Sequence, residues 1–210
     1  MTVEALVFIV DDDASVRRSL ERLLTASGFH VESFESAEHY LDRDPVDGLG
    51  CLLLDINMPG VSGIELQQRL QVRGDTVPIV FLTGHGDIPT SVHAMKEGAQ
   101  DFLTKPVDVE DLVPVIEGAL ARHREILVDE RERARIVTRL DRLTPREREV
   151  LGELITGAPN KIIADRLGIA LKTVKVHRAH VMEKMAVRSV AELVHLCHLA
   201  GQDFELSGNP

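Results

Sequence analysis

Cysteine is scarce in this chain of 210 residues: only Cys51 and Cys197 occur, far apart and outside any CxxC or Cys/His ligand spacing. That excludes a disulfide framework and a thiolate zinc site, and leaves two small buried thiols. Tryptophan is absent and aromatics make up 3% of the residues. No run of about 18 apolar residues is present, and Met1 to Val10 lacks the basic start and small-residue cleavage site of a secretory signal. The expectation is a soluble, cytoplasmic protein. Hydrophobic residues form 44% of the chain, which excludes disorder and collagen-like repeats. The length suits one large domain or two small ones.

The formal net charge of −10 hides an asymmetry. Residues 1–122 carry −12, residues 123–143 carry +1 and residues 144–210 carry +1. Between Lys161 and Arg188 the balance is locally +5, from Lys161, Arg166, Lys172, Lys175, Arg178, Lys184 and Arg188 against Asp165 and Glu183. The whole-chain charge argues against nucleic acid, whereas this stretch argues for it.

Up to about Arg122, short apolar runs alternate with amphipathic stretches. Ala5–Val10, His30–Phe34, Cys51–Leu54, Pro78–Leu82 and Asp101–Leu103 predict strands. Ala14–Ala26, Ala37–Leu41, Ile64–Gln71, Ile88–Glu97 and Val109–Leu120 predict helices; Val16, Leu20, Leu23 and Leu24 mark the buried stripe of the first. Five strands alternating with helices predict an α/β doubly wound, five-stranded parallel sheet, with the ligand site outside the carboxyl ends of its strands. The residues just beyond those ends are Asp11, Asp12, Asp55, Thr83 and Lys105. Converging carboxylates repel one another, and a hard divalent cation with oxygen ligands, Mg²⁺ above all, would relieve the repulsion.

Residues 123–142 are dense in Arg and Glu and contain neither Gly nor Pro, so they are expected to extend the fifth helix as a solvated linker, the alternative being a helix that signals or dimerises. Glu130 interrupts both apolar registers, which disfavours a sustained coiled coil. Beyond Leu143 no strand signal remains. Thr144-Pro145-Arg146-Glu147 has the pattern of a helix start, with Thr as N-cap, Pro next and Glu third. Helices are predicted up to Ile155, from Asn160 to Leu167, from Leu171 to Met185 and from Ser189 to Leu199. The short helix, Gly168 turn and longer basic helix make a helix-turn-helix pattern within a small all-α domain at 143–210.

These residues carry a resemblance. Val10-Asp11-Asp12-Asp13, Leu53-Leu54-Asp55-Ile56-Asn57-Met58-Pro59-Gly60, Leu82-Thr83-Gly84 and Leu103-Thr104-Lys105-Pro106, in that order, make residues 1–122 resemble a flavodoxin-like response-regulator receiver domain. Leu143 to Leu151, Asn160 to Ala164 and Lys172 to Arg178 make the C-terminal part similar to a LuxR-type DNA-binding domain. The architecture resembles a FixJ/NarL-type transcriptional regulator. The resemblance implies that Asp55 accepts a phosphoryl group from a sensor histidine kinase, with Mg²⁺ (or Mn²⁺) held by Asp11, Asp12, Asp55 and the Asn57 backbone carbonyl. Lys105 would pair with the phosphoryl group, and Thr83 and Phe102 would carry the switch. A cis Lys105-Pro106 peptide is also implied. In the second domain it implies base contacts from Lys175 and Val176. Lys161, Lys172, Thr173, His177, Arg178 and Lys184 read as phosphate-backbone contacts.

The last helix is apolar over more than one face, so Val190, Val194 and Cys197 are candidates for a dimer contact. A homodimer formed on phosphorylation would suit inverted-repeat promoter DNA. The expected protein is a phosphorylation-dependent transcription factor, an activator working with RNA polymerase, with no membrane partner and no turnover chemistry. An aspartyl-phosphate hydrolase would need a second acid two residues after its nucleophile, where this chain has Asn57. A small-molecule-controlled DNA binder would need an apolar cavity, which the acidic cluster disfavours. Two departures from the family pattern stand out. Ala170 occupies a position where a Ser or Thr cap is usual, and Ile162 precedes Ile163, so one of the pair should be exposed.

Overall fold

Gly50-Cys51-Leu52-Leu53-Leu54-Asp55 is buried at every position, as an apolar run must be when both faces of its strand are covered. It is the central strand of a computed structural model that describes residues 5–43, 48–84 and 98–201. The strands are β1 (Leu6–Val10), β2 (His30–Phe34), β3 (Gly50–Asp55), β4 (Ile79–Thr83) and β5 (Asp101–Thr104). They form one parallel sheet in the order β2-β1-β3-β4-β5. The described helices are α1 (Ala14–Ala26), α2 (Ala37–Asp42), α3 (Gly63–Arg73), α4 (Val109–Asp141), α5 (Pro145–Ile155), α6 (Asn160–Leu167), α7 (Leu171–Lys184) and α8 (Val190–Leu199). The predicted helix Ile88–Glu97 lies outside the described residues.

Alternate residues of each strand feed two cores. Phe8, Val10, Leu52, Leu54 and Phe81 pack on one face with Tyr40 and Leu66. Val7, Ile9, Leu53, Val80 and Leu82 pack on the other with Leu20, Leu24, Leu112 and Ile116. This period-2 division holds the register, because a one-residue slip would exchange the faces.

The chain divides into two units, Met1–Leu127 and Val128–Pro210. The division falls inside the stretch expected to be a solvated linker, and that stretch is buried at both ends. His123 is buried, with Nδ1 3.0 Å from the Gly50 N–H and 2.9 Å from the Gly50 carbonyl. Ile136 and Leu140 belong to the core of the second unit, with Val150, Leu154, Val174, Val181 and Leu193. Their wide spacing concealed this, since two apolar residues four apart suffice for a one-sided helix contact.

Between β3 and α3 the chain doubles back on itself. Gly63 donates to the Ile56 carbonyl at 3.0 Å, and Ser62 with Glu65 closes a capping box at the start of α3. A Cβ at Gly63 would lie 2.3 Å from the Asp55 carbonyl oxygen, a backbone atom that cannot swing away. Gly63→Ala should therefore destabilise the first unit by about 1–3 kcal/mol, the range for overpacking. Tyr40, the single tyrosine, lies buried in this unit, so urea unfolding followed by its fluorescence measures the change. An unchanged midpoint would show that the turn accommodates a methyl group.

Candidate functional site

The parallel sheet brings the carboxyl ends of β1, β3, β4 and β5 into one row. Val10 pairs with Leu54, Asp55 with Leu82, and Thr83 with Thr104. Asp11, directly after β1, is fully buried. Its Oδ1 accepts from the Asp13 N–H at 2.9 Å, and its carbonyl accepts from Arg17 at 2.6 Å. Asp13, the third acid of the run, is the N-cap of α1 through Ser15, which separates its role from that of its neighbours.

Asp11, Asp12 and Asp55 each offer a carboxylate oxygen, and these lie within 4.8 Å of one another. The Lys105 ammonium is 2.6 Å from Asp11 Oδ2 and 3.0 Å from Asp55 Oδ1. Burial pushes the Asp55 carboxyl above the usual carboxylate range; Lys105 pulls it back, while Asp11 and Asp12 push it further up. Burial alone would lower the Lys105 value, but its two carboxylate partners outweigh burial and raise it. The donor set is all oxygen, which fits a hard divalent cation. Thr83 is buried and donates from Oγ1 to the Gly84 carbonyl at 3.0 Å. Phe102 is 44% exposed and stands outside both cores. The Lys105-Pro106 peptide is cis.

In the second unit, α6, the Gly168 turn in the left-handed conformation and α7 form the helix-turn-helix. Thr144 caps α5 in a box with Glu147. Glu147 is buried, and its Oε2 accepts from Lys184 at 2.6 Å and from the Thr144 N–H at 2.8 Å. Burial would raise the Glu147 carboxyl, but Lys184 and Thr144 outweigh it and hold it at about 2. Lys161, Lys172 and Lys175 are exposed, Thr173 is partly exposed and Val176 is 45% exposed. Ala170 caps α7 with no side-chain hydrogen bond, and of the isoleucine pair Ile162 is exposed and Ile163 buried.

Two family models match the chain: the response regulator receiver domain over residues 7–117, and the luxR family of bacterial regulatory proteins over residues 141–197. The chain belongs to the response regulators. It is 42% identical over 201 residues to the transcriptional regulatory protein FixJ of Bradyrhizobium diazoefficiens, covering 96% of this chain and 98% of that one. It is 42% identical over 189 residues to the transcriptional regulatory protein TdiR of Thauera aromatica, covering 90% of this chain and 83% of the relative. Among solved structures it resembles the response regulator StyR, with a TM-score of 0.80, 47% identity, and coverage of 93% of this chain and 98% of that one. Full-length FixJ from B. japonicum gives a TM-score of 0.59 at 42% identity, covering 95% of this chain and 98% of that chain. A receiver joined to a LuxR-type domain makes this response regulator a transcriptional regulator of a two-component system.

Within the receiver the structure gathers Asp11, Asp12, Asp55 and Lys105; Asn57 follows on the exposed side of the β3 exit. In the LuxR-type unit three of the expected residues have partners within the unit. The Lys184 ammonium is engaged with buried Glu147. Arg178 donates to Asn160 Oδ1 at 3.0 Å, tying α7 to the start of α6. Cys197 is in the core, leaving Val194, 40% exposed, and half-buried Val190 as the surface members of that set. Sequence reasoning also missed the approach of Glu147 to His180, whose Nδ1 lies 3.5 Å from Glu147 Oε1. The spacing of His177 and His180, three apart on a predicted helix, was the available signal.

Because the folded Glu147 value lies below its ordinary 4.5, the unfolded state binds more protons between 4.5 and about 2, and stability is lost as pH falls through that window. Glu147→Gln should cost about 1.5–3 kcal/mol at neutral pH, the worth of hydrogen bonds to a charged group. It should also flatten this part of the acid profile. Urea midpoints from amide resonances of the second unit, recorded between neutral pH and pH ~2, measure both effects. Parallel profiles for wild type and variant would contradict the assignment.

Proposed function

We propose that Asp55 is the phosphoacceptor and that the state of the receiver controls sequence-specific binding of promoter DNA by α7. The observation that carries this reading is the Lys105 ammonium lying between Asp11 and Asp55 at the row of strand ends. An Asp55 oxygen attacks phosphorus of a phosphohistidine on a sensor kinase; the P–N bond breaks and the imidazole leaves. Asp11, Asp12, Asp55 and the Asn57 backbone carbonyl would hold Mg²⁺, or Mn²⁺ in its place. The cation, when bound, neutralises charge on the transferring phosphoryl group. Lys105 then pairs with the phosphoryl oxygens as a point charge. Thr83 can exchange its bond to Gly84 for one to phosphate, and Phe102, whose ring is exposed, would change its orientation in response. Asn57 offers no acid to speed hydrolysis, which supports a persistent signal over turnover.

On the DNA side, exposed Lys175 and Val176 suit base edges in the major groove. Lys161, Lys172 and Thr173 suit phosphates, with His177 and Arg178 in secondary positions. Lys184 is the weakest of that set, because it serves Glu147. Val190 and Val194 remain the candidates for a homodimer on an inverted repeat, recruiting RNA polymerase as an activator in the cytoplasm. Domain limits of 1–122, 123–142 and 143–210 remain the working description, with the central segment packed at both ends.

Acetyl phosphate with Mg²⁺ should raise affinity for a duplex selected from a random pool by about 5–150-fold, the usual span of coupling between sites. Asp55→Ala should show no rise, and an equal response from both proteins would refute the assignment. Lys175→Ala should cost about 1–3 kcal/mol on the selected duplex and much less on random DNA, whereas Lys172→Ala should weaken both. Equal losses on the two duplexes for Lys175→Ala would remove it from base reading.

A further inference from the structure

The DNA-binding unit holds a second cluster with ligand chemistry, distinct in kind from the carboxylates of the receiver. Glu147 on α5, with His177 and His180 on α7, each offer one ligand atom, and these atoms lie within 4.8 Å of one another. His180 Nδ1 and Glu147 Oε1 are 3.5 Å apart. That is close to the edge of a tetrahedron, roughly 3.3 Å, around an ion with bonds of about 2.0–2.1 Å. A second observation is independent of this spacing: Nδ1 of His177 is buried and has no hydrogen-bond partner. Such atoms are rare in folded proteins, and an ion is one of the few species that satisfies them.

We propose that Glu147, His177 and His180 bind a borderline transition cation of the Zn²⁺ class, with water in the fourth position. One carboxylate oxygen and two imidazoles suit that class, whereas Mg²⁺ prefers the all-oxygen receiver cluster. Lys184 and the Thr144 N–H occupy Oε2 of Glu147 and leave Oε1 toward His180. The Lys184 ammonium is the positive group facing the site; its side chain is one-third exposed, and its flexible stem lets the charge move outward into solvent. Both imidazoles are on the helix that carries Lys175 and Val176. A bound cation therefore cross-links α5 to α7 and stabilises the helix-turn-helix by mass action.

The test uses the full chain, stripped with chelator and held in excess Mg²⁺ so that the receiver carboxylates are filled. Wild type should take up one equivalent of Zn²⁺ by calorimetry, and the thermal midpoint of the second unit should rise with Zn²⁺. The Co²⁺-loaded protein should show the intense visible bands of a tetrahedral N/O site. His180→Ala, at a half-exposed position, should lose affinity by at least about tenfold, the loss that even an outer partner of a metal ligand produces. His180→Cys should retain binding, and His198→Ala, on the exposed side of α8, should leave it unchanged. The proposal is overturned if His180→Ala binds Zn²⁺ as wild type does, if His198→Ala weakens binding as much as His180→Ala, or if Co²⁺ gives only octahedral bands.

Discussion

One ammonium group holds the receiver's functional end together. The parallel sheet delivers Asp11 and Asp55 to adjacent strand ends with Asp12 beside them, and the apolar cores behind remove most of the water that would screen their repulsion. Lys105, at the exit of β5, lies against two of these carboxylates at once. A buried carboxylate cluster without a cation would shift to its protonated form, and a protonated Asp55 is a poor nucleophile. The same lysine thus offsets the repulsion within the cluster and favours the charged form of Asp55. The turn at Gly63 runs close behind the backbone of Asp55, so the position of this carboxylate follows from packing as well as charge.

The second unit repeats this logic on a smaller scale. Glu147 is buried at the start of α5, where the Thr144 N–H and Lys184 satisfy its carboxylate. The helix start and the end of α7 are joined through one side chain. A residue that reads as half of a capping box therefore also fixes the helix-turn-helix by holding Lys184 against it. Arg178 makes a similar tie to α6 through Asn160. The other cations of the basic stretch, Lys161, Arg166, Lys172, Lys175 and Arg188, are all exposed.

Periodicity and turn chemistry made much of the fold legible. β2 and α1 have the predicted limits, and the other strands differ by a residue at one or both ends. The apolar runs bounded by Asp, Gly and Pro were decisive, as was the Thr-Pro-x-Glu start of α5. The strand-end rule identified the carboxylates and Lys105 before any distance was known. What could not be read depends on partners remote in sequence. His123 meets Gly50 at the start of β3, Lys184 meets Glu147, and Cys197 packs into the core of the second unit beside Leu193 and Ala200. The sparse apolar residues of α4 also misled, since Ile136 and Leu140 are half of a contact whose other half lies beyond residue 143.

The central claim is that Lys105 is the resident counter-charge of an acidic cluster that also accepts a divalent cation. Calorimetric titration of Mg²⁺ into wild type and Lys105→Met tests it most directly. Removing the ammonium leaves the same carboxylates without the positive charge that opposes a second cation. Lys105→Met should therefore bind Mg²⁺ about tenfold more tightly, the effect of one charge a few ångströms away at an intermediate dielectric. An affinity equal to or weaker than that of wild type would contradict the claim.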